Sequence, residues 1–131
     1  MPNHIIVKKK INSFNKNITV SGDKSLSIRW VLFSSLSSGV SVAYNLLLSD
    51  DVLAALQAIR KLGIKVILEK NKCKIFGKGI NGYNYKKNIT INAQNSGTLG
   101  RLILGLLINS PFPIKVIGDK SLSKRDFKRV S

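Results

Sequence analysis

A six-residue sequence occurs twice in this chain, each time after an apolar segment. Residues 22–27 read GDKSLS, and residues 118–123 repeat them letter for letter. An arginine follows each copy at the same distance, so Arg29 and Arg125 occupy equivalent places. A six-residue match indicates an internal duplication or two convergent corners that join a strand to a helix. Corners of this kind restrict the chain to folds in which strands and helices alternate.

Apolar periodicity predicts the order of these elements. We expect strands over residues 18–20, 40–45, 65–69, 72–76, 89–93 and 114–117, and helices over residues 24–36, between Ser49 and Gly63, and over residues 98–108. The order is β-α-β-α-β-β followed by β-α-β. The sequence therefore predicts an α/β or mixed α+β sheet domain rather than a helix bundle or a β-sandwich.

The first predicted helix has apolar residues at steps of three and four. This stripe, formed by Leu26, Trp30, Phe33 and Leu36, predicts the face that packs in the core. Tyr44, in the next strand, is also expected to be a core residue.

The charge of the chain has two explanations. The 22 Lys and Arg residues outnumber the 6 Asp and Glu residues and give a net charge of +16 over 131 residues. One explanation is a partner rich in negative charge. The other is a compositional bias, because 17 of the 22 cations are lysine. At this length the chain holds one domain at most.

Cysteine and histidine usage excludes several classes. The single Cys73 cannot form an internal disulfide, and one thiol with one His4 argues against a Cys/His metal site. The longest apolar run, residues 102–108, is far shorter than a membrane span, and the first ten residues lack the order of a signal peptide. We expect a soluble cytoplasmic protein without a membrane association.

The first corner carries side chains that suit an anion. Unpaired N–H groups at a helix start attract phosphate or carboxylate. There Lys24 supplies a point charge, Ser25 a hydroxyl, and Arg29, on the same helix face as Ser25, a guanidinium fork. The alternative is that Ser25 is an ordinary N-cap followed by a solvated basic face.

A second polar corner precedes the third predicted helix. Asn95, Ser96, Gly97 and Thr98 offer an amide, two hydroxyls and a position without Cβ, and Arg101 follows one turn later. The alternative here is an ordinary helix cap in which Gly97 adopts a positive φ.

Other site classes lack their motifs. The chain has neither the dinucleotide-binding nor the phosphate-binding glycine loop, and no nucleophile–His–acid set. Its few carboxylates, among them Asp23, Asp50, Asp51 and Asp119, are expected at turns and helix starts, so paired acid–base chemistry is poorly supplied. Tyr83, Tyr85 and the lysines at 86 and 87 do not form a known nucleic-acid motif, and we expect no nucleic acid partner.

Four segments together resemble the N-terminal part of the EPSP synthase family, the 3-phosphoshikimate 1-carboxyvinyltransferases. They are residues 21–29 (SGDKSLSIR), 45–63 (NLLLSDDVLAALQAIRKLG), 95–101 (NSGTLGR) and 118–125 (GDKSLSKR). The sister family of UDP-N-acetylglucosamine enolpyruvyl transferases usually has Lys-Asn where this chain has Lys24-Ser25. The resemblance implies a domain of β-α-β-α-β-β units, of which residues 1–131 form a single partial domain.

The resemblance also implies a reaction. Family members transfer the enolpyruvyl group of phosphoenolpyruvate to the 5-hydroxyl of shikimate 3-phosphate, on the route to chorismate and aromatic amino acids. Matching positions assign Lys24, Ser25 and Arg29 to shikimate 3-phosphate, and Lys24, Gly97 and Arg125 to phosphoenolpyruvate. Lys24 would also be the catalytic residue. Asn95, Ser96, Thr98 and Arg101 are secondary candidates. No metal or organic cofactor is expected, and the full-length enzyme is expected to be a monomer.

Two departures and one alternative accompany the resemblance. Ser21 stands where the family commonly has proline, and Asp126 stands where proline usually follows the arginine. The family's second domain carries further essential residues, so we expect the 131-residue chain to be inactive alone. The alternative function is a small basic α/β module that binds phosphorylated ligands or nucleic acid without catalysis.

Overall fold

The computed structural model describes residues 6, 8–10 and 12–128. In this part of the chain the helices are α1 (Lys24–Leu36), α2 (Asp50–Lys61) and α3 (Gly97–Leu106), with a short 3-10 helix at Leu122–Lys124; the strands are β1 (Val40–Tyr44), β2 (Lys65–Glu69), β3 (Lys72–Phe76), β4 (Thr90–Asn92) and β5 (Lys115–Ile117). The predicted mixed α/β class is confirmed.

The strands form two sheets. The first is antiparallel with the order β1-β3-β2, in which Ser41 lies opposite Ile75 and Val66 lies opposite Ile75 from the other side. The second pairs β4 with β5 in parallel, and Ile91 lies opposite Val116. A parallel pair requires a crossover connection, and α3 supplies it. The sequence therefore builds a hairpin-based sheet and a β-α-β unit within one chain.

The helices pack against one another and against strands of both sheets. α1 and α2 pack together, α1 covers β3, α2 contacts β2 and β4, and α3 touches both other helices. The inner face of β3 contributes Cys73 and Ile75 to the core, while the outer face of β1 is exposed. The largest fully buried side chains are Ile28, Leu32, Leu56, Ile59, Leu62, Ile75, Ile91, Leu99 and Ile103.

Two sequence predictions are wrong at the start of the chain. Residues 18–20 form no strand in the described structure; the carbonyl of Val20 instead accepts a hydrogen bond from the Asn45 side chain at 3.0 Å. The predicted core face of α1 is also wrong at Leu26 and Phe33, whereas Trp30 is half-buried and packs against the core as predicted. Leu26 and Phe33 are 67% and 61% exposed, because the opposite face, with Ile28, packs against α2 and β3.

Tyr44 is likewise exposed on the outer face of β1, so its assignment to the core is wrong. The strand alternates, and the residues on the other side of the pleat, Ser41 and Ala43, are half-buried. The Tyr44 ring carries the ammonium group of Lys72 at 5.5 Å from its centroid.

α2 begins and ends as its sequence predicts. It starts after Ser49, carries Asp50 and Asp51 in its first turn, and ends with Arg60 and Lys61. These four charged residues complement the helix dipole.

Among the described residues no helix is both long and apolar enough to cross a membrane. His4 lies outside the described residues, and the single partial domain over residues 1–131 stays a prediction.

Candidate functional site

The first corner is closed by an aspartate. Asp23 is the N-cap of α1, and its carboxylate accepts the N–H of Leu26 at 2.7 Å. The alternative that Ser25 is the cap is therefore wrong. Lys24 is exposed, Ser25 is half-buried, and the Arg29 guanidinium donates to the Ser25 carbonyl at 3.2 Å. Because aspartate takes the capping position, the Ser25 hydroxyl is not engaged as the cap.

Close backbone contact fixes this corner against the connection between β1 and α2. A Cβ on Gly22 would lie 2.7 Å from the Asn45 carbonyl oxygen and 2.8 Å from the Leu47 nitrogen, so only glycine fits. The buried Ser27 hydroxyl accepts the Leu47 N–H at 3.3 Å. These contacts hold the start of α1 beside the start of α2.

An ion pair joins the two helix starts. The Lys24 ammonium lies 3.2 Å from a carboxylate oxygen of Asp51. The Lys24 side chain is 55% exposed and the Asp51 side chain 20%. An ion pair this open to water contributes little to stability. The ion pair instead sets the position of the Lys24 ammonium, which Asp51 holds near the N-terminus of α2.

The second copy of the repeated sequence uses the same cap. The Asp119 carboxylate accepts the N–H of Leu122 at 2.7 Å, as Asp23 does from Leu26. Here, however, the chain forms only the short 3-10 helix. Lys124 occupies the place that buried Ile28 holds after the first copy, so the second copy lacks the apolar face that would carry a longer helix into the core.

The corner formed by Asn95, Ser96, Gly97 and Thr98 begins α3 and brings two arginines together. The buried Ser96 caps the helix, accepting the N–H of Leu99 at 3.1 Å. A Cβ on Gly97 would lie 3.0 Å from Nη1 of Arg125 and 3.1 Å from Nη1 of Arg101. The absence of a side chain at position 97 therefore admits both guanidinium groups to the start of α3.

A chain of hydrogen bonds links this corner to the second copy of the repeat. Nη2 of Arg125 donates to the Asn95 side-chain oxygen at 2.7 Å, and the Asn95 amide donates to the Asp119 carboxylate at 2.8 Å. The N–H of Leu122, followed by Asn95 and the charge of Arg125, lowers the pKa of Asp119 below its ordinary value. Asp119 is therefore ionised near neutral pH and orients Asn95, which orients Arg125.

The Arg101 side chain is held by residues that follow the second copy of the repeat. Its Nη2 donates to the Asp126 carbonyl at 3.2 Å, and its guanidinium carbon lies 5.5 Å from the centroid of the Phe127 ring. Its Nε is buried and has no hydrogen-bond partner. The stack on Phe127 restricts the guanidinium to an orientation that presents Nη1 toward Gly97.

An open cavity of about 440 Å³ lies between the start of α2, the end of β4 and the second copy of the repeat. Its lining residues are Asp50, Asp51, Asn92, Gln94, Asn95, Gly118 and Asp119. Lys24 is bound to the Asp51 wall, and Arg125 is bound to the Asn95 wall. Three of these seven lining residues are aspartates and none is a Lys or Arg, so the two cations are linked to the cavity through their partners and do not line it.

The predicted site residues fall into two groups. Asn95, Ser96, Gly97, Arg101 and Arg125 lie together at the start of α3, where Thr98 occupies the first turn. Lys24, Ser25 and Arg29 lie together at the start of α1. In the described part of the chain, no group of three or more His, Cys, Asp or Glu residues could hold a metal ion.

Sequence reasoning missed three partners of these residues. Asp51 and Asp119 were expected only as a helix-start acid and a turn residue, although the repeated Gly-Asp pair signals the capping role of Asp119. Phe127 carries no sequence signal for its stack on Arg101.

Comparison with known proteins gives the family. The sequence model described as EPSP synthase (3-phosphoshikimate 1-carboxyvinyltransferase) matches residues 8–131. The chain belongs to the EPSP synthase family. A 3-phosphoshikimate 1-carboxyvinyltransferase of Bacillus cytotoxicus is 40% identical over 123 residues, and one of Streptococcus pyogenes serotype M1 is 43% identical over 113 residues.

The likeness extends to solved EPSP synthase structures. EPSP synthase from Acinetobacter baumannii superposes with a TM-score of 0.79 at 36% identity, covering 86% of this chain and 26% of that chain. The Bacillus alignment covers 94% of this chain and 29% of its relative. The chain thus spans less than a third of the length of these EPSP synthases.

Proposed function

We propose that this chain supplies one side of the substrate site of a 3-phosphoshikimate 1-carboxyvinyltransferase. In that reaction the 5-hydroxyl oxygen of shikimate 3-phosphate bonds to the enolpyruvyl carbon of phosphoenolpyruvate, and inorganic phosphate leaves. Both substrates are polyanions. The observation that carries the proposal is the pair of guanidinium groups, of Arg101 and Arg125, that meet beside Gly97 at the start of α3.

Phosphoenolpyruvate is assigned to the start of α3. The two guanidinium groups beside Gly97 provide donors for its phosphate and carboxylate, and the helix N-terminus there favours an anion. Asn95 and Asp119 hold Arg125 in place before an anion arrives. A preorganised donor stabilises charge that develops on the departing phosphate.

Shikimate 3-phosphate is assigned to the start of α1. Ser25 and Arg29 lie one turn apart on this helix, and the Lys24 ammonium lies between α1 and the Asp51 carboxylate. An incoming phosphate competes with Asp51 for Lys24. Lys24 then contacts both substrates, stabilises charge between them and is placed to assist proton transfer during addition of the hydroxyl.

The remaining part of the site lies outside this chain in the proposal. The relatives are more than three times as long as the matched segment, since it covers 26% to 29% of them. We therefore propose that the 131-residue chain binds substrate weakly and does not turn it over alone. A cytoplasmic location, a monomeric full-length enzyme and the absence of nucleic acid and cofactor stay predictions.

Calorimetric titration of shikimate 3-phosphate into the purified chain tests the assignment. We expect binding that weakens with salt and a roughly 10- to 150-fold loss of affinity in Lys24→Ala, from the 1.5–3 kcal/mol of one charge-assisted contact. Lys70→Ala is the matched control, because Lys70 is exposed in the turn between β2 and β3 and its loss changes the net charge equally. Equal affinity of the two variants would contradict the assignment.

The same variants distinguish the alternative function. A polyanion module without a defined site would bind a single-stranded oligonucleotide and shikimate 3-phosphate with equal loss in Lys24→Ala and Lys70→Ala. Activity itself is tested in a chimera in which this chain replaces the matched segment of the Bacillus cytotoxicus enzyme. We expect phosphate release by the chimera and none by the chain alone.

A further inference from the structure

The Arg101 guanidinium is held by groups that carry no charge. Its Nη2 donates to the Asp126 carbonyl oxygen at 3.2 Å, and its guanidinium carbon lies 5.5 Å from the centroid of the Phe127 ring. In the described part of the chain Arg101 forms no ion pair with a carboxylate. A carbonyl and an aromatic ring hold a cation without neutralising it, so the charge of Arg101 stays available to an anion.

Lys24 is held in a different way. Its ammonium group lies 3.2 Å from the Asp51 carboxylate, which is a charged partner. An anion that approaches Lys24 therefore competes with Asp51, whereas an anion that approaches Arg101 displaces no carboxylate. The neutral contacts of Arg101 favour a role in binding over a role in stabilising the fold.

The helix backbone gives the Phe127 ring its place. A Cβ on Gly100 would lie 3.4 Å from Cε1 and Cζ of this ring, so the ring rests on α3 at the residue before Arg101. Glycine destabilises a helix interior. Its presence here leaves room for the ring, which a side chain larger than alanine would displace. Phe127 is half-buried and packs against the core, so the ring has a fixed support.

We infer that Phe127 is a positioning residue for phosphoenolpyruvate, which it serves through Arg101 without touching the substrate. Nη1 of Arg101 and Nη1 of Arg125 lie 3.1 and 3.0 Å from the point where a Cβ of Gly97 would be. Two cations this close repel each other before an anion arrives. The electron-rich face of the Phe127 ring stabilises one of them in this position. The inference rests on the proposed assignment of phosphoenolpyruvate to the start of α3.

Graded fluorination of the ring tests the inference. Fluorine atoms withdraw electron density from the ring face, so they weaken its attraction for a cation while the shape of the ring is largely kept. Phe127 is replaced site-specifically by mono-, tri- and pentafluorophenylalanine, and phosphoenolpyruvate is titrated into each chain in a calorimeter. We expect a stepwise loss of affinity that reaches at least threefold with five fluorines. Phe127→Tyr keeps an electron-rich ring and should bind within twofold of the parent chain.

Phe112 provides the matched control. The Lys87 ammonium lies 5.2 Å from the centroid of the Phe112 ring, so this is a second cation–π pair of the same kind. Phe112 follows the end of α3, whereas Phe127 lies near its start. The same fluorination at Phe112 should leave the affinity for phosphoenolpyruvate within twofold. Equal losses in the two series, or no loss in the Phe127 series, would overturn the inference.

A background without the cation shows whether the ring acts through Arg101. In an Arg101→Gln chain, fluorination of Phe127 should cause no further loss of affinity, and a loss as large as in the parent would contradict the inference. In the chimera, the fluorinated Phe127 series should raise the KM for phosphoenolpyruvate and leave the KM for shikimate 3-phosphate unchanged. If neither the parent chain nor the chimera binds phosphoenolpyruvate, the substrate assignment itself is wrong. If both bind it and fluorination has no effect, only the role of Phe127 is wrong.

Discussion

Replacing Gly97 by alanine should separate anion binding from stability. The added methyl would lie 3.0 Å from Nη1 of Arg125 and 3.1 Å from Nη1 of Arg101, closer than nearly all real Cβ contacts. Both neighbours are the ends of long side chains, so they can withdraw by a few tenths of an ångström. The fold survives, but the two guanidinium groups no longer point at the same anion.

The two effects have opposite signs. Losing one charge-assisted hydrogen bond costs about 1.5–3 kcal/mol, which is a roughly 10- to 150-fold loss of affinity for phosphoenolpyruvate. Alanine in place of glycine within a helix contributes up to about 1 kcal/mol of stability. Gly97→Ala should therefore bind phosphoenolpyruvate more weakly while unfolding at the same or a higher denaturant concentration.

Gly105→Ala provides the matched control, because Gly105 is also in α3 and a Cβ there would meet nothing within 4 Å. It should gain stability without losing affinity. The assay is calorimetric titration of phosphoenolpyruvate into the chain and into the chimera, beside urea unfolding of each variant. If Gly97→Ala binds phosphoenolpyruvate within twofold of the parent chain, the assignment of the α3 corner is wrong.

Two further predictions concern stability. The pKa of Asp119 is lowered in the folded state, so its charge stabilises the fold above the ordinary aspartate pKa. This contribution is lost as pH falls through the lowered value. Asp119→Asn should therefore be less stable than the parent chain at neutral pH and equally stable in acid, as measured by urea unfolding across pH. Ile28→Ala, at a fully buried position, should cost about 2–5 kcal/mol, whereas Leu26→Ala, 67% exposed, should change stability by less than about 0.5 kcal/mol; similar urea midpoints would contradict the packing of α1.

Local signals predicted most element positions. The α1, β2 and β3 boundaries match the predicted ranges, and α2 begins after Ser49 as its acids indicate. These elements are set by near neighbours: caps, turn residues and alternation. Helix and strand ends elsewhere differ from the predictions by one or two residues, as for α3, which begins at Gly97 and ends at Leu106.

Predictions that depend on tertiary packing failed. α1 has two apolar faces, and periodicity cannot select the one that α2 and β3 cover, so Leu26 and Phe33 were assigned to the wrong side. Residues 18–20 have the composition of a strand but find no pairing partner in the described structure. A strand is stabilised by hydrogen bonds to a neighbouring strand, and the sequence of residues 18–20 alone does not show whether such a strand is available.

The cations of the candidate site can be predicted from the sequence, but the residues that hold them in place cannot. Lys24 and Arg125 follow from the repeated corner, Gly97 follows from the corner before α3, and their assignment to substrates by the resemblance stays a prediction. The Asn95–Asp119 hydrogen bond and the Phe127 stack join segments far apart in sequence. No local pattern records such contacts.

The two GDKSLS copies show how little of a helix its first residues specify. Both copies place an aspartate oxygen 2.7 Å from the amide nitrogen three residues later, yet one continues for 13 helical residues and the other for only a 3-residue 3-10 turn. The hexapeptide is thus a portable bend whose downstream length is free to vary. Duplicating the hexapeptide would add a second charged turn to a protein without determining the secondary structure that follows it.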